Sequence, residues 1–249
     1  MSTQRRIQQQ PAYILHHRPF RDSSQILDVL THDHGKLSIV ARGARGAKSR
    51  LRGVLRPFMP LKLSWVQRTD LGTLTGAEVH GAPMSLSGDA LLSGFYVNEL
   101  LLHFLHRHDP QPEIFDSYEH TVSALVGSGD VALQLRDFEV ELLRQLGYAP
   151  NLEYEAGSQQ PIDAQQHYEY HVEQGPVAVK STEGPMVFTG ATLTAIGERR
   201  FAEPDVLRAA NRLLREIIAF HLGGKELKSR KVLVDLHRVG MSPPGAEGS

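Results

Sequence analysis

Apolar positions in the first eighty residues recur in short runs close to every second residue. Tyr13-Ile14-Leu15-His16 opens one run. Ile26-Leu27-Asp28-Val29-Leu30 sets four apolar residues around one acid, and Lys36-Leu37-Ser38-Ile39-Val40-Ala41 partly alternates. "LKLSWVQ" and "GTLTGAEV" follow after a gap. Each run is of strand length, and most are bounded by Gly, Pro, Asp or Ser; "THDHG" reads as a turn. Five short strands with a long excursion between the third and fourth predict a small antiparallel barrel.

From about Ser87 the period becomes helical. In "SGFYVNELLLHFLHRH", Val97, Leu101, Phe104 and Leu105 share a face; in "PEIFDSYEHTVSALVG", Ile114, Phe115, Tyr118, Val122 and Leu125 do the same. "DVALQLRDFEVELLRQLG" gives the clearest stripe, Leu135, Phe138, Leu142 and Leu146, with Asp130 as N-cap and Gly147 at the stop. Between Pro150 and about Pro185 helical periodicity is lost, and "HYEYHV" and "VAVKS" read as a hairpin. Helices resume with Thr189 capping "GATLTAIGER". "EPDVLRAANRLLREIIAFHLGG" follows, with Pro204 in its first turn, and then "KELKSRKVLVDLHRV". The expected fold class is α+β. An N-terminal five-stranded OB-fold barrel spans 1–82. An all-α helical domain spans 83–240 and carries a small β insertion at 150–187. The tail, 241–249, is expected to be disordered.

Charge changes the picture. The chain is formally at −1, yet thirteen bases stand before Thr69 against only Asp22, Asp28 and Asp33. No acid lies between His34 and Thr69. The densest stretch, "ARGARGAKSRLRGVLRPF", holds Arg42, Arg45, Lys48, Arg50, Arg52 and Arg56, with Lys36 a little before it. Such asymmetry points to a polyanion partner for the basic end, and OB-folds commonly bind single-stranded nucleic acid. Cations on a mobile loop beside a barrel would pair with phosphates and release counterions without reading sequence. Gly43 and Gly46 would allow close backbone approach. Lys225, Lys228 and Arg230 would extend the track if the last helix lies near the barrel. Phe20, Phe58 and Trp65 could stack on bases or serve as core and rim packing.

Other chemistry is weakly signalled. The chain has no cysteine, which removes disulfides and thiolate metal sites. His103, His106 and His108 form the best histidine cluster, but it is not H-E-x-x-H. "GARGAKS" fails the phosphate-loop spacing, and no G-x-S-x-G elbow occurs. No apolar run approaches a membrane span, and the N-terminus has no signal-peptide core. A cytoplasmic, non-enzymatic protein without cofactor or metal is expected. A metal-dependent nuclease using the histidines, or an RNA-binding module for translation or transcription, are the rival readings.

Several stretches carry a resemblance. "RPF" followed by "DSS", the turn from Asp33 to Lys36, "ARGAR" and "RPFMPL" are similar to the N-terminal domain of the RecO family of bacterial recombination mediators. "YVNELL", "LRDFEVELLRQLGYAPNL" and "FHLGGKELKSRKVL" resemble that family's central and C-terminal segments. The resemblance implies binding of single- and double-stranded DNA and annealing of complementary strands. It also implies help in loading RecA, together with RecR, onto DNA coated by single-stranded-DNA-binding protein, and nucleoid association when bound. Many relatives carry a four-cysteine zinc site in the insertion. About Asn151 to Ser181 has none, which resembles the zinc-free branch, so packing and hydrogen bonds alone must hold the insertion. The implied partner has an acidic tail with an apolar end. Arg136 beside Phe138 and Leu142 is the expected receptor, with Arg144 secondary.

Overall fold

Strand β1 (Arg5–Phe20) is long enough to pair with two neighbours. Its first half pairs with β4 (Leu61–Gln67) and its second half with β2 (Ser24–Thr31), both antiparallel. Register shifts between Ile7 and Gln10 and between Ile14 and His16 bend it, as bulges do at barrel corners. β2 pairs with β3 (Gly35–Ala41), and β3 runs parallel to β5 (Leu71–Val79), which pairs back to β4. The order β1-β2-β3-β5-β4 closes the barrel, and it is the OB-fold expected from the strand pattern. Inward positions Ile14, Leu27, Val29, Leu37, Ile39, Leu61, Leu63 and Trp65 fill it. This computed structural model describes residues 5–82, 84–127, 130–229 and 231–232.

Between β3 and β4 lies α1 (Leu51–Val54), a single turn. After β5 comes α2 (Gly88–Phe104), which buries Tyr96, Val97, Leu100 and Leu101. Asn98 Nδ2 donates to the carbonyl of Leu15 on β1 at 2.9 Å, so a polar group ties helix to barrel. A Cβ on Gly94 would meet Phe58 at 2.8 Å, which is why glycine stands there. The sequence pattern carries this helix on to His108; in the structure it ends at Phe104, with Leu105 extended. The following segment docks on β3 instead: His108 N donates to Lys36 O at 2.9 Å.

The chain divides into two compact units, residues 1–115 with 227–249, and residues 116–226. The division falls inside α3 (Pro112–Val126). The second unit continues with α4 (Val131–Gln145), whose cap Asp130 accepts from Ala132 N and Leu133 N. Next come β6 (His167–His171), β7 (Gly175–Val179) and β8 (Val187–Thr189). The expected hairpin is β6–β7, and β8 adds a third strand in the order β7-β6-β8. Tyr168, Tyr170 and Phe188 are buried there, and burial pushes the Tyr170 hydroxyl up to about 12. Arg212 sits 4.6 Å from the Phe188 ring centroid. Then come α5 (Gly190–Gly197), capped by Thr189, and α6 (Pro204–His221), which buries Val206, Leu213, Leu214, Ile217 and Ile218. Among the described residues no helix is long and apolar enough to cross a membrane.

Candidate nucleic-acid interface

The basic stretch is fastened to one end of the barrel. Ala44, Leu55 and Met59 are buried in the barrel core, and Leu51 and Val54 pack against it. Arg45 N donates to Ser23 O at 2.8 Å, and turns at Gly46, Ser49 and Arg52 carry the chain into α1. The expectation of a mobile loop is corrected by these anchors. Gly43 has φ +66 and open space around a Cβ, so its backbone angle calls for glycine and no close approach does.

Apolar residues face in, so the charges face out. Arg42, Arg45, Lys48, Arg50, Arg52 and Arg56 are all exposed. Among the described residues none of the six has an acidic partner, and Arg45 Nη1 donates only to a carbonyl, that of Arg21, at 3.3 Å. A cleft of about 450 Å³ is lined by His17, Gln25, Arg45, Arg52, Leu55 and Arg56, without a carboxylate. A second, of about 490 Å³, is lined by Phe20, Arg21, Val40, Arg42, Thr69 and Thr73, among others. It lies at the β1–β2 and β4–β5 loops, where OB-folds receive oligonucleotides.

The aromatic candidates separate cleanly. Trp65 is buried, with Nε1 donating to Gln67 Oε1 at 2.9 Å. Phe58 is buried at φ +62. Both are core residues. Phe20 is half-exposed in the second cleft, with the Arg21 guanidinium 5.2 Å from its ring centroid.

Lys36 is half-buried, and Nζ donates to Leu102 O at 2.6 Å. Burial lowers its pKa, and the neighbouring charge of Arg107 lowers it further. Lys225 and Lys228 are exposed, while Arg230 lies outside the described residues. Lys228 belongs to the barrel's unit and Lys225 to the other. Glu99 of α2 anchors the chain there, accepting from Lys228 N at 3.0 Å, Ser229 N at 2.9 Å and Ser229 Oγ at 2.6 Å. Desolvation raises the Glu99 pKa, but these hydrogen bonds and His103 outweigh it and hold the group below its ordinary value.

The expected groove on α4 is corrected. Phe138 and Leu142 are each 2% exposed and belong to the core. Arg136 is 8% exposed; Nη2 donates to Glu139 Oε1 and Nη1 to Asn211 Oδ1, both at 2.5 Å. Arg144 is exposed and paired with Glu141. The histidine cluster also dissolves: His106 and His108 lie beyond the end of α2, and His103 stands 4.0 Å from Glu99. Among the described residues no group of three or more His, Asp or Glu could hold a metal ion.

Sequence reasoning missed Arg18, Arg21 and Arg107. Arg18 and Phe20 share a strand face, a signal the period-two pattern contains.

Residues 3–83 match the family model described as Recombination protein O N terminal, and residues 86–231 match Recombination protein O C terminal. Curated relatives named "DNA repair protein RecO" align over nearly the whole chain. That of Nitrosococcus oceani is 45% identical over 94% of this chain and 96% of its own. That of Aromatoleum aromaticum is 41% identical over 96% and 100%, and that of Dechloromonas aromatica 38% over 96% and 100%.

Proposed function

The chain belongs to the RecO family, and on that premise we propose that it is a DNA repair protein that grips single- and double-stranded DNA by backbone phosphates. The observation that carries this reading is the surface of Arg42, Arg45, Lys48, Arg50, Arg52 and Arg56, exposed and, among the described residues, without an acidic partner. Phosphate pairing displaces counterions and is indifferent to sequence, which suits a protein that works wherever damage lies. Phe20 gives one base a stacking surface beside Arg42.

The family resemblance extends the proposal. The protein anneals complementary strands and, with RecR, helps RecA load onto DNA coated by single-stranded-DNA-binding protein. It acts as a mediator and not as an enzyme. These partners are read from the family and from no groove on α4. Strand annealing with and without single-stranded-DNA-binding protein is the direct test. Annealing faster than the spontaneous rate, persisting on coated strands, is expected. Spontaneous rates in both arms would refute the proposal. Tighter binding to structured RNA than to single-stranded DNA at matched salt would favour an RNA-binding module instead.

A further inference from the structure

We propose that Arg18, Lys36 and Arg107 form a pocket that seats one backbone phosphate of bound nucleic acid. It lies on the outer face of β2–β3, away from the basic stretch. The inference rests on the nucleic-acid reading above and adds a subsite to it.

A cleft of about 240 Å³ is lined by Arg18, Asp28, Lys36, Leu37, Ser38, Leu102 and Arg107. It brings three cations to one carboxylate. Asp28 is already satisfied: Arg18 Nη1 donates to it at 2.7 Å and Ser38 Oγ at 2.5 Å. Arg107 Nη2 donates to Ser38 Oγ at 2.9 Å, and Lys36 Nζ donates to a carbonyl. Two positive charges therefore exceed the acid of the lining. A buried carboxylate needing one counter-charge would be satisfied by Arg18 alone. The added pair has an electrostatic cost, since burial and then Arg107 both disfavour the charged form of Lys36. A bound oxyanion offsets the repulsion between Lys36 and Arg107 and accepts from both groups.

The geometry is preorganised. Lys36 and Arg107 form a parallel bridge, and His108 N donates to Lys36 O. Gly35 at φ +63 allows the approach, because a Cβ there would stand 2.1 Å from the carbonyl oxygen of Asp109. Arg107 is thus held against β3 by backbone, and its guanidinium reaches Ser38 in the cleft.

The pocket also lies on a route. His16, Asp28 and Ser38 pair across β1, β2 and β3, and Arg18, Ile26 and Val40 form the next row on the same face. Val40 leads to the cleft of Phe20 and Arg42. From Lys36 to Ala41 the strand covers about 17 Å. The face therefore has cations at both ends, apolar Ile26 and Val40 between them, and one aromatic ring. That pattern fits a few nucleotides of single strand with phosphates held at the ends.

Arg107→Ala and Arg107→Gln in the full chain, with wild type and Arg52→Ala/Arg56→Ala in parallel, are titrated with labelled single-stranded DNA across a salt series. Gln keeps a donor for Ser38 and removes only the charge. Both Arg107 variants should weaken binding by about tenfold and lower the slope of log affinity against log salt by about 0.7, with unchanged melting temperature. Wild-type affinity and slope in either variant would overturn the pocket and leave the basic stretch standing. No binding by wild type would overturn the functional reading itself, and this backbone site with it. A final arm titrates inorganic phosphate against chloride at matched ionic strength. Stronger displacement by phosphate than by chloride, lost in Arg107→Gln, supports an oxyanion pocket that the backbone occupies. Equal displacement would overturn the pocket, and phosphate binding lost in an Arg107→Gln variant that keeps wild-type DNA affinity would make this a free-phosphate site and overturn the assignment.

Discussion

Arginine is used differently in the basic stretch of the barrel and in the second unit. On the barrel, Arg42, Arg52 and Arg56 are exposed and, among the described residues, face no acid. In the second unit, Arg136 pairs with Glu139, Arg144 and Arg199 share Glu141, and Arg208 pairs with Asp205. The first unit is richer in arginine, and the placement of carboxylates sharpens the difference. A paired arginine is part of the fold. An unpaired one on an anchored backbone keeps its field for a ligand.

The sharpest way to break the comparison is to unpair the buried arginine. Glu139→Ala leaves Arg136 charged and enclosed, and should destabilise the second unit by about 3–5 kcal/mol. Denaturant unfolding followed by far-UV dichroism measures it. A loss below about 1 kcal/mol would show that Arg136 escapes to water. Arg136→Glu would report on folding and says nothing specific about a docked peptide.

The next largest effect is on binding. Replacing Arg45, Arg52 and Arg56 together with Ala should lower the salt slope on single-stranded DNA by about 2. Stability should stay within about 0.5 kcal/mol, because exposed, acid-free side chains are removed. Unfolding of this variant, or an unchanged slope, would remove the distinction between the two uses of arginine.

A smaller effect concerns the Glu99 anchor. Its depressed pKa means the anchor is fully present above the ordinary value of 4.5 and is lost as pH falls through the lower folded value. The protection of the Ser229 amide, measured against its intrinsic exchange rate at each pH, should therefore fall in acid. Glu99→Gln should exchange faster at neutral pH and lose that acid dependence, whereas a wild-type profile would show that the carboxylate does not hold the segment. The smallest effect is at Glu141, which Arg144, then Arg199 and Gln145, bring down to about 2 against the opposing push of burial. Glu141→Gln should cost below about 1 kcal/mol near neutrality. The difference from wild type should fade as pH falls through about 2, in thermal melts across pH.

The barrel strands were legible because each is a short apolar run bounded by turn residues, with clear alternation in β4. The first half of β1 was not: in Arg5–Pro11 only Ile7 faces the interior, and a register shift between Ile7 and Gln10 breaks the period. The overrun of α2 has a similar cause. Leu105 continues the apolar pattern, but the chain after it turns to hydrogen-bond Lys36, remote in sequence, through His108. Arg136 was misplaced because a helical wheel shows the apolar stripe but not Asn211, which arrives from α6. The charge of the basic stretch was plain, while Arg18 and Arg107 meet only through the folded β2–β3 face.

The Glu99 anchor also orders events in time. Leu227, Lys228 and Ser229 belong to the barrel's unit, yet they are translated after the whole of the second unit. At about 5–20 residues per second, the ribosome needs roughly 6–22 s to pass from Asp116 to Leu227. During that interval the nascent barrel and α2 are exposed without their closing segment, and Glu99 has no amide to accept. The first unit to begin is therefore the last to finish, and a ribosome stalled late in the message would present a closed basic barrel whose α2 still lacks the segment that Glu99 holds.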